Sequence, residues 1–264
     1  HEAIINYYHS LNIFEELGDR VNISKTLFNI GKVWYEMKQY AFALEKYNQS
    51  LRIEEELGNE YVISQILQEM GTLYQETGKY KLAFKKYNQS LKLSQKLGDK
   101  RSISKVIGKI GIIHYLKGET TRALEKYHLS MQISQEINNQ EGIIIVLQHI
   151  GLIYYEQGAY SKAEKVYKKS LKIGEELADK DEVFRTLEML ILLYQDQNNL
   201  KEDLRYTYYA SSLAKDINSS PLNAINRRLD RIKQDIGEAE YERLLPQIKK
   251  GVEKRLKKYL KIYK

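Results

Sequence analysis

Residues 59–98 read NEYVISQILQEMGTLYQETGKYKLAFKKYNQSLKLSQKLG, and the pattern of this stretch recurs along the chain at a spacing of 40 residues. Shifted by that spacing, Gly71 falls on Gly31, Gly111 and Gly151, and Ala83 on Ala43, Ala123 and Ala163. Tyr87 falls on Tyr47, Tyr127 and Tyr167, and Ser90 on Ser50, Ser130 and Ser170. A fixed period of this length marks an array of stacked repeats. Leu-Gly-Asp at 17–19, Leu-Gly-Asn at 57–59 and Leu-Gly-Asp at 97–99 set a glycine where a helix stops and a capping Asp or Asn where the next begins. Inside the first copy the apolar residues keep helical spacing, Ile23, Leu27, Ile30 and Trp34, then Leu44, Tyr47, Leu51 and Ile53, with a break near Met37 to Tyr40. Each copy therefore predicts a helical hairpin. The recurring Gly and Ala are expected where its two helices cross closely, because bulk there would overpack the crossing.

The ends depart from the pattern. Residues 1–18 align with a second helix only, Ala3, Tyr7 and Ser10 in phase, and there is no initiator Met. The expectation is a chain that begins inside a hairpin, as a fragment of a larger protein. A fifth copy decays, with Ile191 at the glycine position and Asp203 at the alanine position, while Tyr194 and Ala210 keep register. After Ser219-Ser220-Pro221 a helix through Leu222, Ile225, Leu229, Ile232 and Ile236 stops at Gly237 and is expected to cap the array. The expected division is 1–18 (truncated repeat), 19–58, 59–98, 99–138, 139–178 and 179–218 (five repeats, the last degenerate), 219–246 (capping helix region) and 247–264 (basic amphipathic terminal helix).

The 264 residues include no cysteine, which removes disulfides, cysteine metal sites and thiol chemistry from consideration. The most apolar stretch, 142–155, is interrupted by Gln148 and His149, too soon for a membrane span. The net charge of +7 is carried by residues 249–264, with eight Lys or Arg and one Glu; residues 1–248 balance at 34 of each sign. A neutral body argues against substantial nucleic-acid binding by the repeats. No phosphate-binding loop, His-Glu-x-x-His or Gly-x-Ser-x-Gly is present, so the segment reads as noncatalytic, with no cofactor and no metal. His114 stands where other copies place Trp34, Tyr74 and Tyr154 and is expected to pack as an aromatic substitute. The Asn-x-Ser triplets at Asn22, Asn48, Asn88 and Asn218 read as helix surface, since no secretion signal accompanies them, and the expected location is cytoplasmic.

Leu67, Met70, Gly71, Tyr74, Gly78, Tyr80, Ala83, Tyr87 and Ser90 together resemble the tetratricopeptide repeat, and the resemblance extends over roughly 1–217. The period of 40 and the replacement of the helix-ending proline by Leu-Gly-Asp are similar to an extended subtype. That subtype occurs in Pins-type polarity adaptors, peptide-pheromone receptors of Gram-positive bacteria and the sensor arms of STAND-class NTPases. The resemblance implies an all-α, right-handed superhelix of about five hairpins with a helical C-terminal cap. It also implies a concave groove lined by the first helix of each hairpin. The groove residues it designates are Lys25, Phe28, Asn29, Lys32 and Tyr35; Gln65, Gln68, Glu69, Thr72 and Gln75; Lys105, Lys109, Ile112 and Tyr115; Gln148, His149, Leu152 and Tyr155; and Arg185, Glu188, Met189 and Gln195. Aromatic anchors among amides suit a peptide or partner helix. Equally, Tyr35, Tyr115 and Tyr155 suit packing against the next hairpin. The carboxylate-clamp variety is not matched, because Glu69 would repel a carboxylate.

From Gln247 onward Ile248, Val252, Leu256, Tyr259, Leu260 and Tyr263 form one stripe ringed by Lys249, Lys250, Lys254, Arg255, Lys257, Lys258, Lys261 and Lys264. Such a helix either docks its stripe on the cap or contacts an anionic membrane, nucleic acid or an acidic partner. Residues 236–245 are similar to closing segments after the repeats of STAND-type regulators. The functional expectation is a protein-interaction or ligand-sensing domain that binds a peptide or partner protein, the sensor part of a larger signalling protein. A constitutive adaptor scaffold is the alternative, and contact through the basic terminal helix a second. Oligomerisation is left to terminal or upstream modules.

Overall fold

The computed structural model describes residues 2–216 and 222–261. The helix-start signal at 219–221, the triplet at Asn218, the side chain of Ala3, and Tyr263 and Lys264 lie outside the described residues. Among those described, the chain forms thirteen α-helices and no strand. It is all-α, its helices packed sequentially as hairpins, and it divides into two compact units, 1–137 and 138–264.

Unit one holds α1 (Glu2–Glu16), α2 (Arg20–Glu36), α3 (Tyr40–Leu57), α4 (Glu60–Glu76), α5 (Tyr80–Leu97), α6 (Lys100–Leu116) and α7 (Thr120–Glu136). The hairpins are α2/α3, α4/α5 and α6/α7; α3 also packs on α4 and α5 on α6. The first helices start where expected: Asp19, Asn59 and Asp99 accept hydrogen bonds from the backbone N–H of Asn22, Val62 and Ser102 at 3.1, 3.4 and 3.1 Å. Each such cap is worth about 1 kcal/mol. α3 ends at Gly58 with φ +70°, a left-handed conformation that a Cβ would strain.

The recurring glycines serve a contact more specific than a helix crossing. A Cβ on Gly31 would sit 2.6 Å from the Tyr47 ring, and one on Gly71 2.5 Å from the Tyr87 ring. The tyrosine sixteen residues on lies flat against the glycine of the facing helix, and Gly111 with Tyr127 repeats the arrangement. The serines join the same helices further along: Ser24 Oγ lies 2.9 Å from Ser50 Oγ, Ser64 Oγ lies 2.9 Å from Ser90 Oγ, and Ser130 Oγ donates to the Ser104 carbonyl at 2.7 Å. All six are buried; the hydroxyls of the first two pairs meet each other and the third pair joins through a backbone carbonyl, where water is excluded.

Unit two holds α8 (Gln140–Glu156), α9 (Tyr160–Leu177), α10 (Lys180–Asp196), α11 (Leu200–Asp216), α12 (Leu222–Ile236) and α13 (Glu238–Arg255), ending in a π-turn at Leu256–Leu260. α8/α9 repeats the glycine contact with Gly151 and Tyr167. In α10/α11 it is exchanged for another solution: Ile191 stands where glycine was, and the smaller Thr207, fully buried, stands where the tyrosine was. Volume moved from one helix to the other, which close packing requires. Asp203, at the former alanine position, is buried at 2% exposure and accepts from Thr207 Oγ1 at 2.9 Å and from Arg228 Nε of α12 at 3.0 Å. The degenerate copy is thus adapted to hold α12.

α13 runs through Pro246 without a break, so the boundary expected at 246/247 is not an element boundary. Pro246 lies on the exposed side, and Leu244, Ile248, Val252, Leu256 and Leu260 form one buried stripe across it. A spacing of four drifts around a 3.6-residue helix, and the closing π-turn widens the last turn so that Leu256 and Leu260 stay on the same side. The stripe packs into a core with Tyr206, Tyr209 and Leu213 of α11. Arg255 anchors it: Nε and Nη2 each donate to the Glu175 carboxylate of α9 at 2.8 Å, and Tyr209 Oη donates to the same carboxylate at 2.7 Å. The terminal helix docks its apolar side, as the first of the two expectations had it. No helix of the described residues is long and apolar enough to cross a membrane.

Candidate functional site

α2, α4 and α6 are first helices of successive hairpins and neighbours of one another. Of the residues designated on them, Lys25, Lys32 and Lys105 are exposed; Phe28, Asn29, Tyr35, Gln65, Glu69, Gln75, Lys109 and Tyr115 are half-buried. Gln68 is buried, at 5% exposure. Lys32 Nζ lies 5.9 Å over the Phe28 ring, which leans on the Tyr47 ring at 5.7 Å. Tyr35 leans on Tyr40, centroids 5.8 Å apart.

Glu69 of α4 is the charge common to this face, felt by Tyr35, Tyr47, Tyr87 and Lys109. Burial, with Glu76, Tyr40 and Glu69 adding to it, pushes the Tyr35 hydroxyl up to about 12. Burial raises Tyr47 still further, Glu69 being its largest electrostatic neighbour. Lys109 is lowered by burial, which outweighs the pull of Glu69 and is helped by Lys105. Among the described residues Lys109 has no ion-pair partner, although its surroundings have stripped it of much of its water.

The floor of the face distinguishes one hairpin from the next. Tyr87 Oη donates to Gln75 Oε1 at 3.1 Å and lies 3.2 Å from Thr72 Oγ1. In the preceding hairpin those two positions are Lys32 and Tyr35, and the Tyr47 hydroxyl is buried without a hydrogen bond. An unsatisfied buried hydroxyl costs about 1–3 kcal/mol. The face therefore presents a partly desolvated ammonium and a carboxylate, with the aromatic edges of Phe28 and Tyr35 beside them, over a floor of buried tyrosines. Such a set pairs with amide N–H and C=O groups and with single charges of either sign.

In unit two the designated residues serve the scaffold to a greater extent. Gln148 is buried, and its Nε2 donates to Glu182 Oε2 at 3.0 Å and Thr186 Oγ1 at 3.1 Å, joining α8 to α10. Tyr155 donates its hydroxyl to Asp196 across the same two helices and lies 5.9 Å from the Tyr160 ring. Arg185 and Glu188 are exposed, Arg185 pairing with Glu182 at 3.1 Å, and His149 is half-buried. His114, in unit one, lies edge-on to Phe84 with Nδ1 2.6 Å from Glu119. Lys117, His114 and Arg122 together hold the Glu119 carboxyl at about 2. No group of three His, Cys, Asp or Glu among the described residues is arranged to hold a metal ion.

Tyr47, Tyr87 and Glu76 were not singled out from sequence. Both tyrosines fill the repeat's aromatic position, and nothing in the pattern separates a buried ring from the hydroxyl at its tip. The signal lay in their neighbours, Thr72 and Gln75 in one copy against Lys32 and Tyr35 in the other.

The tetratricopeptide repeat model matches residues 35–96 and 102–176. No curated protein matches the chain. Among solved structures, BtubC from P. vanneervenii superposes with a TM-score of 0.68 at 16% identity, covering 81% of this chain and 91% of that one. NprR in complex with its cognate peptide NprX gives 0.63 at 18% identity, covering 92% and 71%. A STAND protein with a tetratricopeptide repeat sensor from Pyrococcus horikoshii gives 0.66 at 17% identity, covering 84% of this chain and 33% of its own. The chain thus spans a third of that STAND protein. At these identities the likeness is one of fold.

Proposed function

Since the chain belongs to the tetratricopeptide repeat family, we propose that the face of unit one built by α2, α4 and α6 binds a peptide or an extended segment of a partner protein. The observation that carries this reading is the cluster around Glu69. The unpaired, half-buried Lys109 close to Glu69 is costly within the fold, and a segment laying one acidic group across the face satisfies it. Phe28 and Tyr35 supply the apolar anchorage beside them. NprR, of the same fold, has a cognate peptide, and the STAND protein carries its repeats as a sensor. By that likeness the segment works as the recognition part of a larger signalling protein. The reading is noncatalytic: the groups on the face bind, and no nucleophile and base stand paired there.

The experiment is selection of peptides from a random library on the immobilised chain, followed by titration of one selected peptide against variants. Lys109→Glu and Glu69→Lys are each expected to weaken it about tenfold or more, since each reverses a partly desolvated charge. Unchanged affinity in both overturns the assignment of the face.

A further inference from the structure

We propose that unit two carries a second binding site, a basic trough between α9, α11 and the C-terminal π-turn that takes an acidic segment of a partner protein. It is separate from the face of unit one and independent of the reading given there. Two recesses of about 590 and 380 Å³ adjoin, sharing Arg205, Tyr206 and Arg255 as their common wall. Lys168, Lys172, Lys254 and Lys258 line the larger and Lys201 the smaller. The only carboxylate lining either recess is Glu175, and it is fully spent: at 1% exposure it takes both donors of Arg255 and the Tyr209 hydroxyl.

The remaining cations differ in how they are held. Lys168 pairs with Glu164 at 2.5 Å and Arg205 with Glu202 at 2.8 Å, while Lys172 meets Glu176 at 3.7 Å with both largely exposed. Lys201, Lys254 and Lys258 have no ion pair among the described residues, and Lys258 rests its ammonium 4.5 Å over the Tyr259 ring. A recess with low-dielectric walls and unpaired cations concentrates its field inward, which raises local anion concentration and the rate of encounter.

The kind of anion follows from what else lies there. Single-stranded nucleic acid needs exposed aromatic faces for stacking. Tyr206 and Tyr209 are buried at 4% and 1%, and Lys258 covers Tyr259. A duplex needs an unbroken basic track, and here Glu164, Glu176 and Glu202 interrupt it at the rim. Membrane insertion would need the apolar stripe of α13, which is buried in the core of unit two. Discrete acidic side chains on a flexible backbone, each reaching an unpaired lysine between those carboxylates, fit what remains.

The test is fluorescence anisotropy of a labelled peptide of alternating Glu and Gly against the whole chain, with a Gln-Gly peptide and a single-stranded oligonucleotide of equal charge as comparisons. The expected result is binding of the Glu peptide that weakens as salt rises and falls about tenfold or more in Lys254→Glu/Lys258→Glu. Lys81→Glu/Lys85→Glu on α5 should leave it unchanged, and the library peptide of unit one should bind the Lys254/Lys258 variant as well as it binds the parent. Equal binding of the Gln peptide, insensitivity to the Lys254/Lys258 reversal, or tighter binding of the oligonucleotide through the same lysines would overturn the proposal.

Discussion

Gly31→Ala is the smallest change that probes how these hairpins are built. The added Cβ would stand 2.6 Å from Cδ1 and Cε1 of Tyr47 and 3.3 Å from the Ala43 carbonyl oxygen. Tyr47 has no exposed surface, so its ring has nowhere to swing. Forcing one carbon into such a contact costs about 1–3 kcal/mol, and replacing glycine by alanine within a helix returns about 1 kcal/mol. The expected net loss is about 1 kcal/mol. In a Tyr47→Leu background the ring is gone and the same substitution should stabilise by about 1 kcal/mol, a coupling of about 2 kcal/mol between the two positions. Urea denaturation is the assay. Trp34, the only tryptophan, lies three residues along the same helix and reports on this hairpin, while far-ultraviolet circular dichroism reports on the whole chain. Stabilisation by Gly31→Ala in the parent, or an equal effect in both backgrounds, would refute the ring-on-glycine account.

Tyr47→Phe removes a buried hydroxyl that makes no hydrogen bond; it should leave stability unchanged or raise it by up to about 1 kcal/mol by urea denaturation, and a loss of stability would mean the hydroxyl is satisfied. Arg255→Ala leaves Glu175 buried with only Tyr209 as donor; because the guanidinium is 41% exposed, the expected loss is about 2–3 kcal/mol, below that of a fully buried pair, and a loss within 0.5 kcal/mol of zero by urea denaturation would contradict the anchoring role. Ala178 ends α9 in the left-handed region at φ +56°, so Ala178→Gly should raise the denaturation midpoint by about 0.5–1 kcal/mol of stability, and a lowered midpoint would count against it. The Tyr35 phenol is raised in the fold, so its contribution to stability is complete below the unfolded value near 10 and is lost as pH rises towards about 12; urea midpoints should fall above pH 10 as phenolate absorbance grows, and a flat profile to pH 12 would contradict this.

Much of this was written in the repeat. The Asp and Asn caps and the 40-residue spacing place most helix ends, because capping is local chemistry and a periodic core needs periodic residues. What escaped was pairwise. Glycine was expected at a crossing of backbones, whereas its partner is a ring sixteen residues away. Asp203 and Ile191 read as decay, although one holds Arg228 and the other trades volume with Thr207. A boundary was expected at 246/247, yet α13 runs through Pro246 and the stripe on the opposite side of the helix carries the fold across it. For the candidate face, the resemblance to the repeat designated Lys109, Glu69 and Tyr35 alike with Gln68, which is buried, and Gln148, which is spent on Glu182 and Thr186, and had no means of separating them. That distinction depends on which hydrogen bonds are already made.

Because the chain has no cysteine, single reporter thiols give the most direct test of the claim that the α2, α4 and α6 face is the binding surface. Alkylation rates would be measured for Gln65→Cys and Lys105→Cys on that face and for Leu82→Cys, exposed on α5, with and without a saturating library-selected peptide. The peptide is expected to slow alkylation at 65 and 105 by about tenfold or more and to leave 82 unchanged. Protection at 82 with none at 65 and 105 would contradict it.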